Sequence, residues 1–336
     1  MPLSESNKMA QSVDESRRSH VADVVAAAWG QPAGTALWWR SSGSHVFRVP
    51  AQDDRPASFL RFVPDSQRSY GAVAGVAALM HELHARGGAV VQPVPSSFGA
   101  FAETIDTELG AMHAMLLTAA PGDQTDVDVL TVPRAHAWGM ALADLHRRAG
   151  GVDTELPDGV DRLSGAANLL SGDPAVADAV HHLIEQISGM PRNPAQYGVI
   201  HGDFELDNMA WVGDTATAYD FDEAARSWFA ADVASAVRDL TAGTGRPTKV
   251  HAHLFDAFIA GYRHVGRLDD TEVRRLPLFA ALNAASSLIT LRQVIDAGDR
   301  SGDPDWQVRL RDKLDDHIQR QRRLVIGGAR EDLTGH

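Results

Sequence analysis

The residues predict an α+β chain of two lobes, a small one built on a mostly antiparallel sheet and a larger, mainly helical one. Three observations predict it. The chain has 336 residues, more than a single hydrophobic core usually supports. Strand-like runs bounded by Gly, Ser and Pro turn signals crowd the part before about residue 119. Beyond it, apolar residues recur chiefly at the three- to four-residue spacing of helices. The expected division is a disordered tail over residues 1–15, a first lobe over 16–119 and a second over 120–336.

Composition narrows the function classes. Acids outnumber bases by 44 to 31, for a formal charge of −13. That balance argues against nucleic acid as a partner, because a phosphate backbone needs clustered Lys and Arg. There is no cysteine, which excludes disulfides, thiolate chemistry and most structural zinc sites. The first twenty residues are polar and mixed in charge, unlike a secretory leader. No apolar run reaches the ~18 residues of a membrane helix. The expectation is a cytoplasmic protein with no membrane partner, and the residues set no oligomeric state.

The first lobe opens with a helix over Ser16 to Trp29, where Val21, Val24, Val25 and Ala28 share one face. A strand, Thr35 to Arg40, turns at Ser41-Ser42-Gly43-Ser44 into a returning strand, His45 to Val49. The turn is small and polar, so its backbone N–H groups can approach an anion. Trp38 and Trp39 are adjacent on a strand and face opposite sides. Ala57 to Val63 reads as a third strand, and Ser69 to Arg86 as a helix stopped by Gly87-Gly88. Two further strands are expected at Phe101 to Ile105 and Ala111 to Thr118, before a break at Ala119 to Asp123.

Helices follow at Val132 to Arg148 and Val176 to Ile187, with a short one near Leu163 to Leu170 between them. Later helices are expected at Trp228 to Leu240, His251 to His264, Asp270 to Ala297 and Asp305 to Val325.

The chemistry concentrates between residues 199 and 234. His201-Gly202-Asp203 is followed by Asn208, five residues after the Asp. Two short strands, Met209 to Val212 and Thr217 to Tyr219, are joined through Gly213-Asp214, a hairpin signal. Asp220-Phe221-Asp222 comes next, so the hairpin is expected to bring Asn208 and Asp220 together at its open end. That set suits phosphoryl transfer, which needs a carboxylate to accept a hydroxyl proton and oxygen ligands for Mg²⁺ on the nucleotide phosphates. Asp203 fits the base. Asn208 and Asp220 fit the catalytic metal ligands, and Asp222 a further one.

The stretch resembles the catalytic and metal-binding loops of the aminoglycoside phosphotransferase / choline kinase / homoserine kinase superfamily. These enzymes share the protein-kinase-like fold. Their catalytic loop carries Gly where protein kinases carry Arg. The resemblance covers about residues 35 to 245. It implies phosphorylation of a hydroxyl on a small molecule, dependent on Mg²⁺ and on ATP (or GTP). Two alternatives stay open: a protein Ser/Thr kinase of the same superfamily, and a catalytically silent nucleotide-binding regulator. No long segment separates Asp222 from the Trp228 helix, which disfavours an extended peptide substrate.

The resemblance also assigns roles. The hairpin turn with Ser44 and His45 would cover the nucleotide phosphates, and the backbone near Leu117 to Ala119 would meet adenine. Protein kinases anchor the phosphates with Lys on the third strand. The lysines here are Lys8, Lys249 and Lys313, none of them near that strand, so Arg61 takes the place. Arg can hold phosphate oxygens with two parallel bonds. The helix that should supply a Glu to this base is apolar over Val76 to Ala78, and Glu82 comes too late. His201 and Asp232 are structural in this reading, Asp232 holding the catalytic-loop backbone from its helix.

Glu205 stands where protein kinases place Lys and many small-molecule kinases of the superfamily place His. A Glu beside a phosphate needs a positive partner, and a cationic acceptor is the expectation drawn from it. A second Mg²⁺, a protein Arg or simple exposure to solvent would also satisfy that charge.

Overall fold

The structure is a computed structural model that describes residue 1 and residues 3–52, 55–294 and 305–330. Backbone contacts divide the chain into two compact units. The first comprises Met1–Pro121, Gly151–Leu156 and Thr217–Asp222, and the second comprises Gly122–Gly150, Pro157–Ala216 and Glu223–His336.

The first unit begins with helices α1 (Leu3–Gln11) and α2 (His20–Ala26). Strands β1 (Leu37–Ser41), β2 (His45–Val49) and β3 (Ser58–Pro64) follow, then helix α3 (Tyr70–Ala85), and then β4 (Pro93–Val94), β5 (Glu103–Thr107) and β6 (Gly110–Thr118). The strands form one six-stranded sheet in the order β1-β2-β3-β6-β4, with β5 also on β6, and every pairing is antiparallel. In the register, Val46 faces Arg61 and Phe47 faces Leu60. Leu60 and Phe62 pack into the core with Phe47, Met112 and Leu116. Side chains alternate along a strand, so Arg61 points to the opposite face of this central strand.

Two departures from the sequence reading lie here. Residues 3–11, expected in a tail, form α1, because Met9 is an apolar anchor buried completely in the core of the sheet. The helix expected over Ser16 to Trp29 is shorter, closing in a 3₁₀ turn at Ala27–Trp29. Helix α3 is capped by Ser69, whose side chain accepts the N–H of Ala72 at 3.3 Å, and it buries Val73, Val76, Leu79, Met80 and Leu83.

In the second unit, helices α4 (Val132–Ala149), α5 (Gly159–Ala166) and α6 (Pro174–Ser188) precede strand β7 (Tyr197–Ile200). Strands β8 (Met209–Val212) and β9 (Thr215–Ala218) form a two-stranded ribbon through which the chain passes back to the first unit. Strand β10 (Ala225–Trp228) then pairs antiparallel with β7. Helices α7 (Phe229–Ala236), α8 (Ala252–Val265), α9 (Asp270–Arg274), α10 (Leu276–Val294) and α11 (Asp305–Gly328) complete the unit. Helices α4 and α8 touch backbone to backbone. A Cβ on Gly261 would lie 1.9 Å from the carbonyl oxygen of His136, and one on Gly139 would lie 2.0 Å from that of Phe258.

The helix expected over Asp270 to Ala297 is split between α9 and α10, and residues 295–297 lie outside the described residues. Asp269 and Glu272 close a reciprocal capping box on the five-residue α9. Pro277, which lacks an N–H, fits the first turn of a new helix. Among the described residues no helix is long and apolar enough to cross a membrane.

Candidate active site

In the second unit the loop after β7 is shaped by one buried carboxylate. Asp232 sits in the first turn of α7, fully buried among small residues. Its Oδ2 accepts the backbone N–H of His201 at 2.7 Å, and its Oδ1 accepts that of Gly202 at 2.9 Å. His146 Nε2 lies 2.9 Å from the same Oδ2, and His146 Nδ1 lies 2.8 Å from the Tyr262 hydroxyl. A buried charge is tolerated only when it is bonded in this way. Burial works to raise the Asp232 pKa, but the bonds and charges of His146 and His201 outweigh it and hold the carboxyl below its ordinary range.

The loop itself is tight. Gly202 has φ of +84°, and a Cβ there would meet the Glu223 carbonyl oxygen at 2.3 Å. Only glycine fits at this point, which accounts for Gly where protein kinases carry Arg. His201 Nδ1 accepts the Asp203 N–H at 3.2 Å. A 3₁₀ turn, Leu206–Asn208, then carries Asn208 back toward Asp203. Asn208 Nδ2 donates to the Asp203 carbonyl at 2.9 Å and to Asp203 Oδ2 at 2.8 Å. The carboxylate predicted as the base is therefore held by the amide predicted as a metal ligand.

Asp203 lines a cavity of about 820 Å³ contained within the second unit. Ser235 of α7, Asn283 and Thr290 of α10, and Arg320 of α11 form other parts of its wall.

Glu205 does not reach solvent. It is 7 % exposed, and Arg238, another residue of the cavity wall, donates to its Oε2. Burial, then the neighbouring Asp203 charge, pushes the Glu205 pKa up to about 9, against the pull of Arg238. Of the partners that the sequence allowed for Glu205, the structure supplies a protein Arg. Glu205, protonated or paired with Arg238, therefore calls for no cation from the acceptor.

In the first unit, residues 217–222 return to the sheet by two backbone bonds. Ala218 N–H donates to the Ala89 carbonyl at 2.9 Å, and Val91 N–H donates to that of Ala218 at 3.0 Å. Asp220 and Asp222 are thereby delivered to Arg61, which is 8 % exposed. Arg61 Nη2 donates to Asp220 Oδ1 at 2.8 Å and to Asp222 Oδ2 at 2.7 Å. Arg40 Nη2 lies 3.0 Å from Asp220 Oδ2, and Arg68 Nη1 lies 2.8 Å from Asp222 Oδ1. The five groups alternate in sign along one chain, Arg40, Asp220, Arg61, Asp222, Arg68. Burial tends to lower the Arg61 pKa, but Asp222 and Asp220 more than offset it, so the guanidinium stays charged.

The hairpin turn between β1 and β2 contributes Ser44, whose Oγ accepts from Arg61 Nε at 3.3 Å and Nη2 at 3.1 Å. His45, expected with it at the phosphates, turns inward instead. It is 1 % exposed, rests on Phe62, and its Nδ1 lies 2.5 Å from Ser41 Oγ. Burial drops its pKa to about 4, so the ring is neutral at pH 7. A neutral, enclosed imidazole shapes the turn rather than meeting an anion.

Sequence reasoning did not find Arg40, Arg238 or the Asp232–His146–Tyr262 chain. No local motif marks them, since each partner lies far away in the sequence.

The APH phosphotransferase enzyme family matches residues 40–276. This chain belongs to that family. As a family member it is a phosphotransferase, and the fold is the kinase-like one of a sheet-based and a helical part. It is 21 % identical over 284 residues to the amicoumacin kinase of Bacillus subtilis (strain 168), a match that spans 81 % of this chain and 84 % of that protein. An amicoumacin kinase solved with AMP-PNP and Ca²⁺ superposes with a TM-score of 0.78 at 18 % identity, covering 96 % of each chain. A microcompartment-associated aminopropanol kinase gives 0.70 at 18 % identity, covering 94 % of this phosphotransferase and 99 % of that chain.

Proposed function

We propose that this phosphotransferase moves the terminal phosphoryl group of ATP or GTP, with Mg²⁺, to a hydroxyl of a small amino-bearing molecule. The observation that carries the reading is Asp203: it is held by Asn208 on a loop pinned by Asp232, and it lines a cavity of about 820 Å³. A cavity of that size fits a drug-sized molecule and is far larger than a three-carbon alcohol. It favours a small acceptor over a protein chain.

Asp203 of the second unit accepts the proton of the acceptor hydroxyl as its oxygen bonds to the terminal phosphorus. The bond from that phosphorus to the bridging oxygen breaks, and the nucleoside diphosphate leaves. Arg61 of the first unit, aimed by Ser44, binds phosphate oxygens. The residues present fit Mg²⁺. Asp220 offers hard carboxylate oxygens, Asn208 has an amide oxygen left once its Nδ2 is committed, and Asp222 lies beside Asp220. Among the described residues no group of three or more His, Asp or Glu side chains is gathered as a cage. Mg²⁺ typically takes one or two carboxylates, with phosphates and waters completing the shell. When bound, it neutralises charge developing on the transferred group.

Support for an amino-bearing acceptor comes from the relatives, named as kinases of amicoumacin and aminopropanol, and no longer from Glu205. The testing experiment is a turnover screen. Purified protein with Mg²⁺ and ATP or GTP is offered amino alcohols, aminoglycosides and related antibiotics, and products are read by mass spectrometry for a gained phosphate. A product from an amino-bearing alcohol supports the reading. Phosphate transfer only to a protein substrate would favour the protein-kinase alternative. Nucleotide binding with no transfer to any acceptor would favour the silent regulator.

A further inference from the structure

The geometry of the first unit points to Asp222 as the positioning acid of Arg61, standing in for the acid that α3 lacks, with Arg68 as its own anchor. The inference rests on the nucleotide reading above and moves Asp222 from metal ligand to positioning residue.

A long, buried guanidinium that grips phosphate must be held in one orientation. Helix α3 provides no acid for this. Glu82, its one acid, is 47 % exposed and faces Arg86 at 3.6 Å. Arg61 instead finds Asp222 at 2.7 Å. Both oxygens of Asp222 are engaged by guanidinium groups, Oδ2 by Arg61 and Oδ1 by Arg68 at 2.8 Å. The two acids differ in what a metal must displace. The second oxygen of Asp220 meets Arg40, whose side chain is 50 % exposed. An ion pair so open to water is weak, and Asp220 can release it. Asp222 is 11 % exposed and its anchor Arg68 is 21 % exposed. Pairs so enclosed are costly to break on one side.

Arg68 is itself well placed for this. It lies between β3, which carries Arg61, and the Ser69 cap of α3, and its backbone N–H donates to the Pro64 carbonyl at 3.2 Å. The hairpin turn comes close as well: a Cβ on Gly43 would lie 3.8 Å from Asp222 Oδ2. Asp222 thus joins the strand, the turn and the start of the helix around one arginine.

Two constants separate positioning from metal ligation: nucleotide affinity at saturating Mg²⁺, by calorimetry, and Mn²⁺ affinity at saturating nucleotide, by electron paramagnetic resonance. Asp222→Asn should weaken nucleotide about tenfold, the scale of one charge-assisted bond, and leave Mn²⁺ affinity within about twofold. Asp220→Asn should do the reverse and lose Mn²⁺ affinity. Asp222→Glu should recover part of the nucleotide affinity, and Arg68→Gln should reproduce the Asp222→Asn loss in a chain that keeps both acids. The sign is informative. A carboxylate that merely repels phosphate gives tighter nucleotide binding when neutralised, whereas one that aims Arg61 gives weaker binding. Loss of Mn²⁺ affinity in Asp222→Asn, or nucleotide affinity that is unchanged or improved, overturns the proposal. A wild-type protein that binds no nucleotide overturns the functional reading itself, a separate outcome.

Discussion

Asp232 accepts the backbone N–H of His201 at 2.7 Å across 31 residues of sequence. The loop that carries Asp203 is therefore shaped from a helix that lies behind it in the chain. Asp232→Asn keeps the volume but leaves one oxygen to serve His201, Gly202 and His146. Each buried donor left unsatisfied costs ~1–3 kcal/mol. Chemical denaturation should show a stability loss of at least ~2 kcal/mol on that basis, and turnover should fall with it. Wild-type stability in the variant would mean that the loop holds its shape without this carboxylate.

Arg61→Ala removes the centre of the five-charge chain. The nucleotide KM should rise ~10- to 100-fold, the worth of a charge-assisted bond, with a smaller effect on turnover at saturation. Arg61→Lys should restore part of the affinity but not the two-pronged contact. An unaltered nucleotide KM in Arg61→Ala would move the phosphate contact to Arg40 or Arg68.

Glu205 gives a pH signature. Its pKa is raised by burial from an ordinary 4.5 to about 9 in the folded chain. The folded state therefore holds a proton that the unfolded chain releases early. The stability tied to that proton is complete below about 4.5 and is lost as pH rises through about 9. Glu205→Gln is neutral throughout, and Arg238, 50 % exposed, can still be solvated. Thermal melts should show the variant gaining on the wild type steadily from pH 5 to pH 9. A difference that does not change with pH would show that the ionisation of Glu205 is not opposed by the fold.

Most of the proposed machinery is legible in the sequence because its spacing is short. His201-Gly202-Asp203 with Asn208, and Asp220-Phe221-Asp222 after a hairpin, are written within 22 residues. Arg61 could be singled out because no lysine lies near its strand. What stayed hidden depends on distant contacts. Arg40 meets Asp220 across 180 residues, and Arg238 meets Glu205 across 33. His45 was misleading because a polar turn says nothing about which way the next side chain faces. Its inward direction is set by the packing of β2 on β3. Strands β7 and β10, four residues each, are too short to show a period, yet they flank the loop and fix where Asp203 emerges.

The central claim is that Asp203 is the base of phosphoryl transfer. Its most direct measurement compares the wild type with Asp203→Asn in steady-state turnover with Mg-nucleotide and an accepted alcohol, alongside nucleotide binding by calorimetry. A positioned general base is worth ~10² or more in rate. The account predicts a turnover loss of that size with nucleotide affinity unchanged. Turnover retained in Asp203→Asn would contradict it, because the proton would then leave by another route.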